Sequence, residues 1–370
     1  AYQINHTLRL HGAFDGDALA WFARLRRAQP DGYCAWLDLG AQQILSASPE
    51  LFFRRDGDVI TTRPMKGTAR RGRWAAEDRA IADWLRASEK NRAENLMIVD
   101  LLRNDLSRLA APHSVTVSDM FAVERHPTVW QMTSTIRARA RPATSLDDLF
   151  AALFPCGSVT GAPKAKAMEL IAGLETEPRG IYCGAIGLIR PGGDAIFNVA
   201  IRTVSIAGDH ATCGVGGGIT WDSTAGEEYA EAMLKARFLD AAAVPEACAL
   251  FETLRLESGV YWLLERHLAR LAGSAGYFGY PFDTVACRAR LTTLADAHAH
   301  GLWRVRLDLA PDGTLAAVAS AMPATPARPG FALAATAVPR DAIWLHHKTV
   351  RRDAYEQALA AAQARQPEVF

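Results

Sequence analysis

The chain has 370 residues, with 41 basic and 40 acidic side chains and a formal charge of +1. That length exceeds what one core organises and predicts two domains, and 49% apolar with 22% charged residues is ordinary for a globular protein. The balanced charge gives no footprint for nucleic acid or anionic membrane, no apolar run is long enough to span a bilayer, and AYQINHTLRL lacks the layout of a secretory signal.

The first strong pattern is YCAWLDL, QQILSAS, LFFRR, DGD and VITTR over residues 33–62, which predicts short strands with a hairpin turn at DGD. From about Ala75 to Leu109, Ile81, Trp84, Leu85, Leu96, Val99 and Leu102 recur at helical steps. Strands are expected near 113–137, helices near 145–153 and 163–174, a strand-rich block over 181–219, and a helix over about 224–241. Strands grouped in clusters rather than alternating with helices argue for an α+β layered domain. It is expected to cover residues 1–243, ending around AAAVPEA (241–247), with a second α/β domain over 247–370. That domain begins with the strand ALFETLRL and carries helices near 265–275, 283–298 and 350–364. The first residue lies almost inside a strand and QARQPEVF stops without a finished element, so both ends are read as cut. Cys34, Cys156, Cys183, Cys213, Cys248 and Cys287 stand singly, without a C-x-x-C pair, as expected of reduced packing thiols in a cytoplasmic protein.

In DSTAGEEYAEAMLKA, Thr224 and Glu227 fit a capping box that fixes the helix start, and Glu228, Glu231 and Lys235 fall along one helical face. Just before it, three consecutive glycines in GVGGGIT weaken any strand they occupy and suit a backbone that approaches a ligand. Glu94 lies on another expected helix. Two glutamates from different helices facing one another could hold a hard, oxygen-seeking cation such as Mg²⁺.

Taken together, SASPELFF (46–53), TRPMKGTARR (62–71), NRAENLMIVDLLRNDL (91–106), FPCGSVTGAPKAKAMEL (154–170), GAIG (184–187), FNVAIRT (197–203) and GVGGGITWDS with EEYAEAMLKA (214–236) resemble the chorismate-utilising enzymes. The likeness runs in order over about residues 1–240. It implies a two-layer α/β fold with the site between its halves, Mg²⁺ as cofactor, and Glu94, Glu228 and Glu231 as its carboxylates. It further implies that Arg202 and Lys235 hold substrate carboxylate, with Thr160, Gly161, Gly217 and Gly218 around the same pocket, and that Glu50 is the acid–base group.

Within this family, anthranilate synthases carry alanine at the position of Lys66, whereas the enzymes that aminate chorismate at C4 carry lysine. The chemistry agrees, because a lysine amine adding at C2 as the C4 hydroxyl departs splits one difficult displacement into two easier ones. Such a lysine must be neutral, far below the ordinary pKa of about 10.4. Burial beside Arg63 or a bound metal ion is the expected cause. Isochorismate and salicylate synthases resemble the chain too, but carry a general-base lysine where Gln3 stands, and glutamine takes no proton. Ammonia is therefore the expected nucleophile. No glutaminase motif is present in the sequence, so a glutamine amidotransferase subunit or free ammonium is expected to supply it. Two departures stand out: Gln131 where some relatives have histidine, and a longer N-terminal region in relatives.

From ALFETLRL onward the chain is similar to the first half of a fold-type IV pyridoxal-phosphate enzyme of the aminodeoxychorismate lyase type. LLERHLARLAGSAGYFGYPFD (263–283) resembles the segment whose arginine holds the cofactor phosphate, which implies Arg270, and HHKTVRRDAY (346–355) resembles the Schiff-base segment, which implies Lys348. The downstream half of that fold is absent from this sequence, so an incomplete lyase site is expected. Anthranilate formation, activity from the pyridoxal-phosphate half, and a binding module without turnover remain as other readings.

Overall fold

In the computed structural model, which describes residues 1–27, 29, 32–239, 247–323, 331, 333, 334, 336–338, 340 and 342–365, the alternating segments become antiparallel strands. Residues 240–246, where the first domain is expected to end, lie outside the described residues. The chain divides into two compact units, one of residues 1–71 and 82–245, the other of residues 72–81 and 246–370.

In chain order the first part of the sequence forms β1 (Gln3–Ala13), α1 (Ala18–Arg27), β2 (Tyr33–Asp38), β3 (Gln43–Ser48), β4 (Leu51–Asp56), β5 (Val59–Arg63) and β6 (Met65–Arg70). There follow α2 (Ala75–Ala87), α3 (Glu89–Ser107), β7 (Thr116–Arg125), β8 (Val129–Arg139), α4 (Leu146–Leu153), β9 (Gly161–Ala162) and α5 (Lys164–Leu174). The last are β10 (Ala185–Ile189), β11 (Ala195–Val199), β12 (Thr203–Ala207), β13 (His210–Ile219) and α6 (Ala225–Ala236). One sheet has the order β2-β3-β12-β13-β1-β9, and the other β10-β11-β4-β5-β8-β6 with β7 added on β8.

Each sheet buries one face under helices. Leu45, Ala47, Val204, Cys213 and Val215 of the first sheet pack with Leu25 of α1 and Ala232 and Ala236 of α6. Phe52, Phe53, Ile60 and Ile136 of the second pack with Ile98, Val99 and Leu102 of α3 and Leu149 and Leu153 of α4. Edge-to-face contacts among Phe52, Phe53 and Phe150 tighten that layer.

Two of the chain's crossings between the sheets position the site. The chain passes from β3 to β4 through Pro49 and Glu50, and from β11 to β12 through Ile201 and Arg202. The crossings are tied together: Val199 N donates to Glu50 O at 3.1 Å, Ala47 N to Arg202 O at 3.0 Å, and the Ser48 hydroxyl to Val199 O at 2.5 Å. The segments that carry Glu50 and Arg202 are thereby held together.

The DGD turn joins β4 to β5 with Asp56 opposite Val59, as expected. The helical stretch near 75–109 is two helices, because the Ser88 side chain accepts from Asn91 N at 3.4 Å and starts α3 afresh. Thr224 caps no backbone group; its hydroxyl donates to the Glu227 carboxylate at 2.9 Å, so the expected capping box is not made. A reciprocal box forms instead at Ser145 and Asp148, at the start of α4.

The second unit contains β14 (Leu250–Glu257), β15 (Val260–Tyr261), α7 (Leu264–Phe278), α8 (Thr284–Asp296), β16 (Leu302–Leu309), β17 (Leu315–Ala321) and α9 (Asp353–Gln363). Its sheet runs β15-β14-β16-β17. Leu250, Leu254, Leu256, Val305, Leu307 and Leu309 pack against Leu268 and Leu271 of α7 and Cys287 and Leu291 of α8. All six cysteines are free thiols. Among the described residues no helix is long and apolar enough to cross a membrane.

Candidate functional site

A cavity of about 490 Å³ lies inside the first unit, and both crossings open onto it. Its floor is β13, where Gly214, Gly216 and Gly218 share one face by the two-residue period of a strand. The strand continues through all three consecutive glycines, contrary to the weakening expected from sequence. Protein neighbours on this face leave no room for side chains. A Cβ on Gly214 would strike the Tyr182 ring and one on Gly216 the His6 carbonyl, while one on Gly218 would meet Gln3 Nε2 at 2.6 Å and Lys66 Nζ at 2.7 Å.

That contrast makes a prediction. Gly216→Ala forces backbone apart and should cost roughly 1–3 kcal/mol in denaturant unfolding. Gly218→Ala pushes only on the ends of two side chains. It should keep most of the stability and lose activity. A Gly218→Ala enzyme as active as the parent would separate the Lys66 amine from the chemistry.

Lys66 reaches this point because of a bulge. In the β6–β8 pairing, Met65 faces Thr133 but Thr68 faces Gln131, a register shift that spans Lys66 and Gly67. Gly67 has φ +97°, which favours glycine, and a bulge of this kind re-aims the side chain beside it. Asn95 of α3, fully buried, donates to Lys66 O at 3.5 Å and accepts from the Ser134 hydroxyl at 2.6 Å. It therefore fixes the bulge from behind. Nothing in the sequence reading singled out Asn95, since a lone helical asparagine carries no signal of its own.

The electrostatics of the cavity follow from burial. Glu50 is 3% exposed, and burial pushes its pKa up to about 7 despite the opposing pull of Ser158 and Lys66. The Lys66 amine is held below the ordinary lysine value, first by burial and then by the nearby Lys235 cation. Arg63, expected as a neighbour, is instead taken up in an ion pair with Glu124. Both shifts favour the uncharged forms, so the low dielectric favours a neutral acid beside a neutral amine.

Glu94 of α3 and Glu228, Glu231 and Lys235 of α6 all line this cavity. The face read from the i, i+3, i+7 spacing is thus the one that meets the cavity. Lys235 pairs with Glu231 at 2.8 Å and donates to Gly216 O at 2.9 Å, while the Ser223 hydroxyl donates to Glu228 at 2.5 Å. The Glu94 carboxyl is raised above its usual range, mainly by burial, and the nearby Glu231 and Glu228 charges push the same way. Among the described residues no three His, Cys, Asp or Glu side chains close on a metal position by themselves. Three hard carboxylates lining one cavity do fit the donor chemistry of Mg²⁺, which keeps part of its water shell.

Arg202 sits at φ +48° and lines the cavity, and its guanidinium makes no hydrogen bond or ion pair with the described residues; burial lowers it to about 10. Thr160, Gly161 and Gly217 are close by but do not line the cavity. The Thr160 hydroxyl donates to Cys156 O at 2.8 Å, Gly161 lies in β9 opposite Ile4, and Gly217 alternates to the other face of β13. Gln131 does line it, with Thr68 donating to its side chain at 3.2 Å.

In the second unit Arg270 and Lys348 converge on Glu252, which is 1% exposed. Arg270 donates to both Glu252 oxygens at 2.6 and 2.5 Å, His267 lies 2.8 Å from the same carboxylate, and Lys348 Nζ stands at 3.7 Å. Burial lowers the Lys348 amine. A primary amine with a lowered pKa beside a half-exposed guanidinium fits a ligand with an aldehyde and a phosphate.

The chorismate binding enzyme profile matches residues 1–241, well over half of the chain. The chain belongs to that family. Residues 249–369 match the amino-transferase class IV profile. The chain is 44% identical over 230 residues to the aminodeoxychorismate synthase component 1 of Salmonella typhimurium, covering 62% of this chain and 51% of that protein. It is 39% identical over 238 residues to the anthranilate synthase component 1 of Streptomyces coelicolor, covering 64% and 47%. Crystalline anthranilate synthase component I from Streptococcus pneumoniae superposes with a TM-score of 0.60 at 36% identity, covering 64% of this chain and 53% of that one. The chain thus spans about half the length of the curated relatives it matches. The layered α+β fold expected from sequence agrees with these likenesses.

Proposed function

We propose that the first unit aminates chorismate at C4 to 4-amino-4-deoxychorismate, as the synthase component of 4-aminobenzoate and folate formation, with Mg²⁺ as cofactor. A glutamine amidotransferase partner would supply the ammonia. The observation that carries this reading is a half-buried lysine, Lys66, with a depressed amine, sharing one cavity with a buried carboxyl, Glu50, raised to about 7. The likeness to aminodeoxychorismate synthase component 1 proteins supports the same branch of the family.

In this mechanism Lys66 Nζ forms a bond to ring C2 while the ring double bonds shift and the C4–O bond breaks. The Glu50 carboxyl gives its proton to the departing hydroxyl, so that water leaves rather than hydroxide. Ammonia then bonds to C4, the double bonds shift back, and the Nζ–C2 bond breaks. Loss of the ammonium proton restores the starting charges. Arg202 and Lys235 would hold substrate carboxylate, with Arg202 the more available because nothing among the described residues pairs with it. Glu94, Glu228 and Glu231 would hold Mg²⁺, which when bound offsets substrate charge beside three carboxylates. In the second unit, Lys348 and Arg270 would hold pyridoxal phosphate, whose bound chemistry is that of an electron sink for a following lyase step.

The test is product identity. With chorismate, Mg²⁺ and ammonium the expected product is 4-amino-4-deoxychorismate; fluorescent anthranilate formed without any lyase would replace this reading with its nearest alternative. The pH profile supplies a second check. Glu50 must be protonated to act, so activity should fall as pH rises through about 7. Lys66 must be neutral, so the acid limb should rise with pH and report an amine below its ordinary value. Glu50→Gln should lower turnover by about 10²–10⁴-fold and remove the alkaline limb. A limb that persists in that variant belongs to another group.

A further inference from the structure

Two histidines meet where β1 ends and β13 begins, and the amination chemistry above uses neither. His11 stands opposite Thr212 and His210 opposite Ala13, so the two imidazoles lie diagonally across the strand pair on one face. By strand period this is the face on which Gly214, Gly216 and Gly218 floor the cavity, and His210 precedes Gly214 by roughly 13 Å of strand. Neither histidine lines the cavity, and both are exposed.

The geometry of the pair is specific. His11 Nδ1 stands 3.3 Å from His210 Nε2, and the Thr212 hydroxyl lies 3.5 Å from the same Nδ1. The rings are stacked, with centroids 5.5 Å apart and planes 24° from parallel. Two ring nitrogens so placed can share a proton, or both can present lone pairs to one cation. The separation is longer than the roughly 2.9–3.0 Å at which an N–H donor usually settles on oxygen. It matches the second arrangement, because nitrogens bound at about 2.0–2.1 Å to a tetrahedral ion stand roughly 3.3–3.4 Å apart. The last torsion of a histidine side chain is broad, so both lone pairs can turn onto one point between the rings at little cost.

We infer that His11 and His210 form a two-point site for a divalent cation that prefers nitrogen, of the Zn²⁺, Cu²⁺ and Ni²⁺ class, with water completing its shell. The donors set that class. Neutral imidazole suits these ions, whereas Mg²⁺ takes hard oxygen ligands and keeps its water. The site is therefore separate in place and in chemistry from Glu94, Glu228 and Glu231, and it does not rest on the amination reading. Among the described residues no third His, Cys, Asp or Glu joins the pair, so binding is weaker than at a closed structural site. A bound ion would bridge β1 to β13, the two strands beneath the cavity, and stabilise the folded chain by mass action.

The experiment titrates the full chain, carrying no affinity tag, with Zn²⁺ alone and follows both binding heat and Tm. The parent should bind one ion per chain at this pair and melt higher with Zn²⁺ than with chelator. His11→Ala and His210→Ala should each weaken binding on the order of 10²-fold, as the loss of one of two linked contacts does, and cancel the rise in Tm. The half-buried thiols Cys34 and Cys248 are the competing soft donors, so Cys34→Ser with Cys248→Ser is the control and should bind as the parent does. Mg²⁺ in excess should not displace the Zn²⁺. Cu²⁺ in the parent gives a reading that needs no variant, since its electron spin resonance should carry splitting from two imidazole nitrogens. Unchanged Zn²⁺ affinity in both histidine variants, binding lost in the thiol control, or a Cu²⁺ spectrum without nitrogen splitting would each overturn the site and leave the pair a hydrogen bond.

Discussion

Lys66→Ala is expected to abolish 4-amino-4-deoxychorismate formation, by on the order of 10³-fold or more, as removal of a nucleophile does elsewhere. Residual turnover should shift toward anthranilate, since ammonia can still reach the ring, or vanish. The reason is local. The bulge at Lys66 and Gly67 aims one amine over Gly218, and burial keeps that amine from holding its proton as tightly as an exposed lysine would. Alanine leaves the bulge, Gly67 and the Asn95 support in place, so the loss should be one of chemistry and not of fold. Thermal unfolding of the variant should match the parent within a few degrees. Unchanged product from Lys66→Ala would remove lysine addition from the mechanism, whatever the sequence likeness.

The second large effect is expected from Glu94→Gln and Glu231→Gln. Each exchanges a carboxylate for an amide of the same shape, so packing is kept while a hard anionic ligand is lost. Both should abolish Mg²⁺-dependent turnover, and excess Mg²⁺ should restore little. The structure adds a distinction between them. Glu231 already pairs with Lys235, so Glu231→Gln also frees a cation beside the substrate; Glu94 has no such partner at hydrogen-bond distance among the described residues. The chorismate KM should therefore move differently in the two variants. Full activity in either would undo the carboxylate set.

Much of this was legible in the sequence, and what was not has physical causes. The hairpin at DGD and the face shared by Glu228, Glu231 and Lys235 follow from local periodicity, which needs no partner to be read. The break at Ser88 was hidden, because a serine inside a helical pattern looks the same whether it caps or merely interrupts. Thr224 offered a capping box that its hydroxyl spends on Glu227 instead. The glycines of β13 suggested ligand approach, yet the contacts that exclude side chains there come from Tyr182, His6, Gln3 and Lys66, brought together by sheet topology. The polar row on β1 was the least visible. Alternating polar residues on a strand ordinarily mark a solvent face, yet Gln3, Asn5 and Thr7 are 1%, 5% and 9% exposed. Arg63 was expected to perturb Lys66, but it lies within reach of Glu124, contributed by β7, a partner no local pattern could announce.

The most direct measurement is intact-protein mass spectrometry after incubation with chorismate and Mg²⁺ in the absence of ammonium. Lysine attack without a second nucleophile should leave a fraction of the chain heavier by chorismate less one water, with the added mass on the peptide that contains Lys66. Adding ammonium should clear it. A chain that turns chorismate over with ammonium yet never carries mass at Lys66, under conditions that would trap it, contradicts the account.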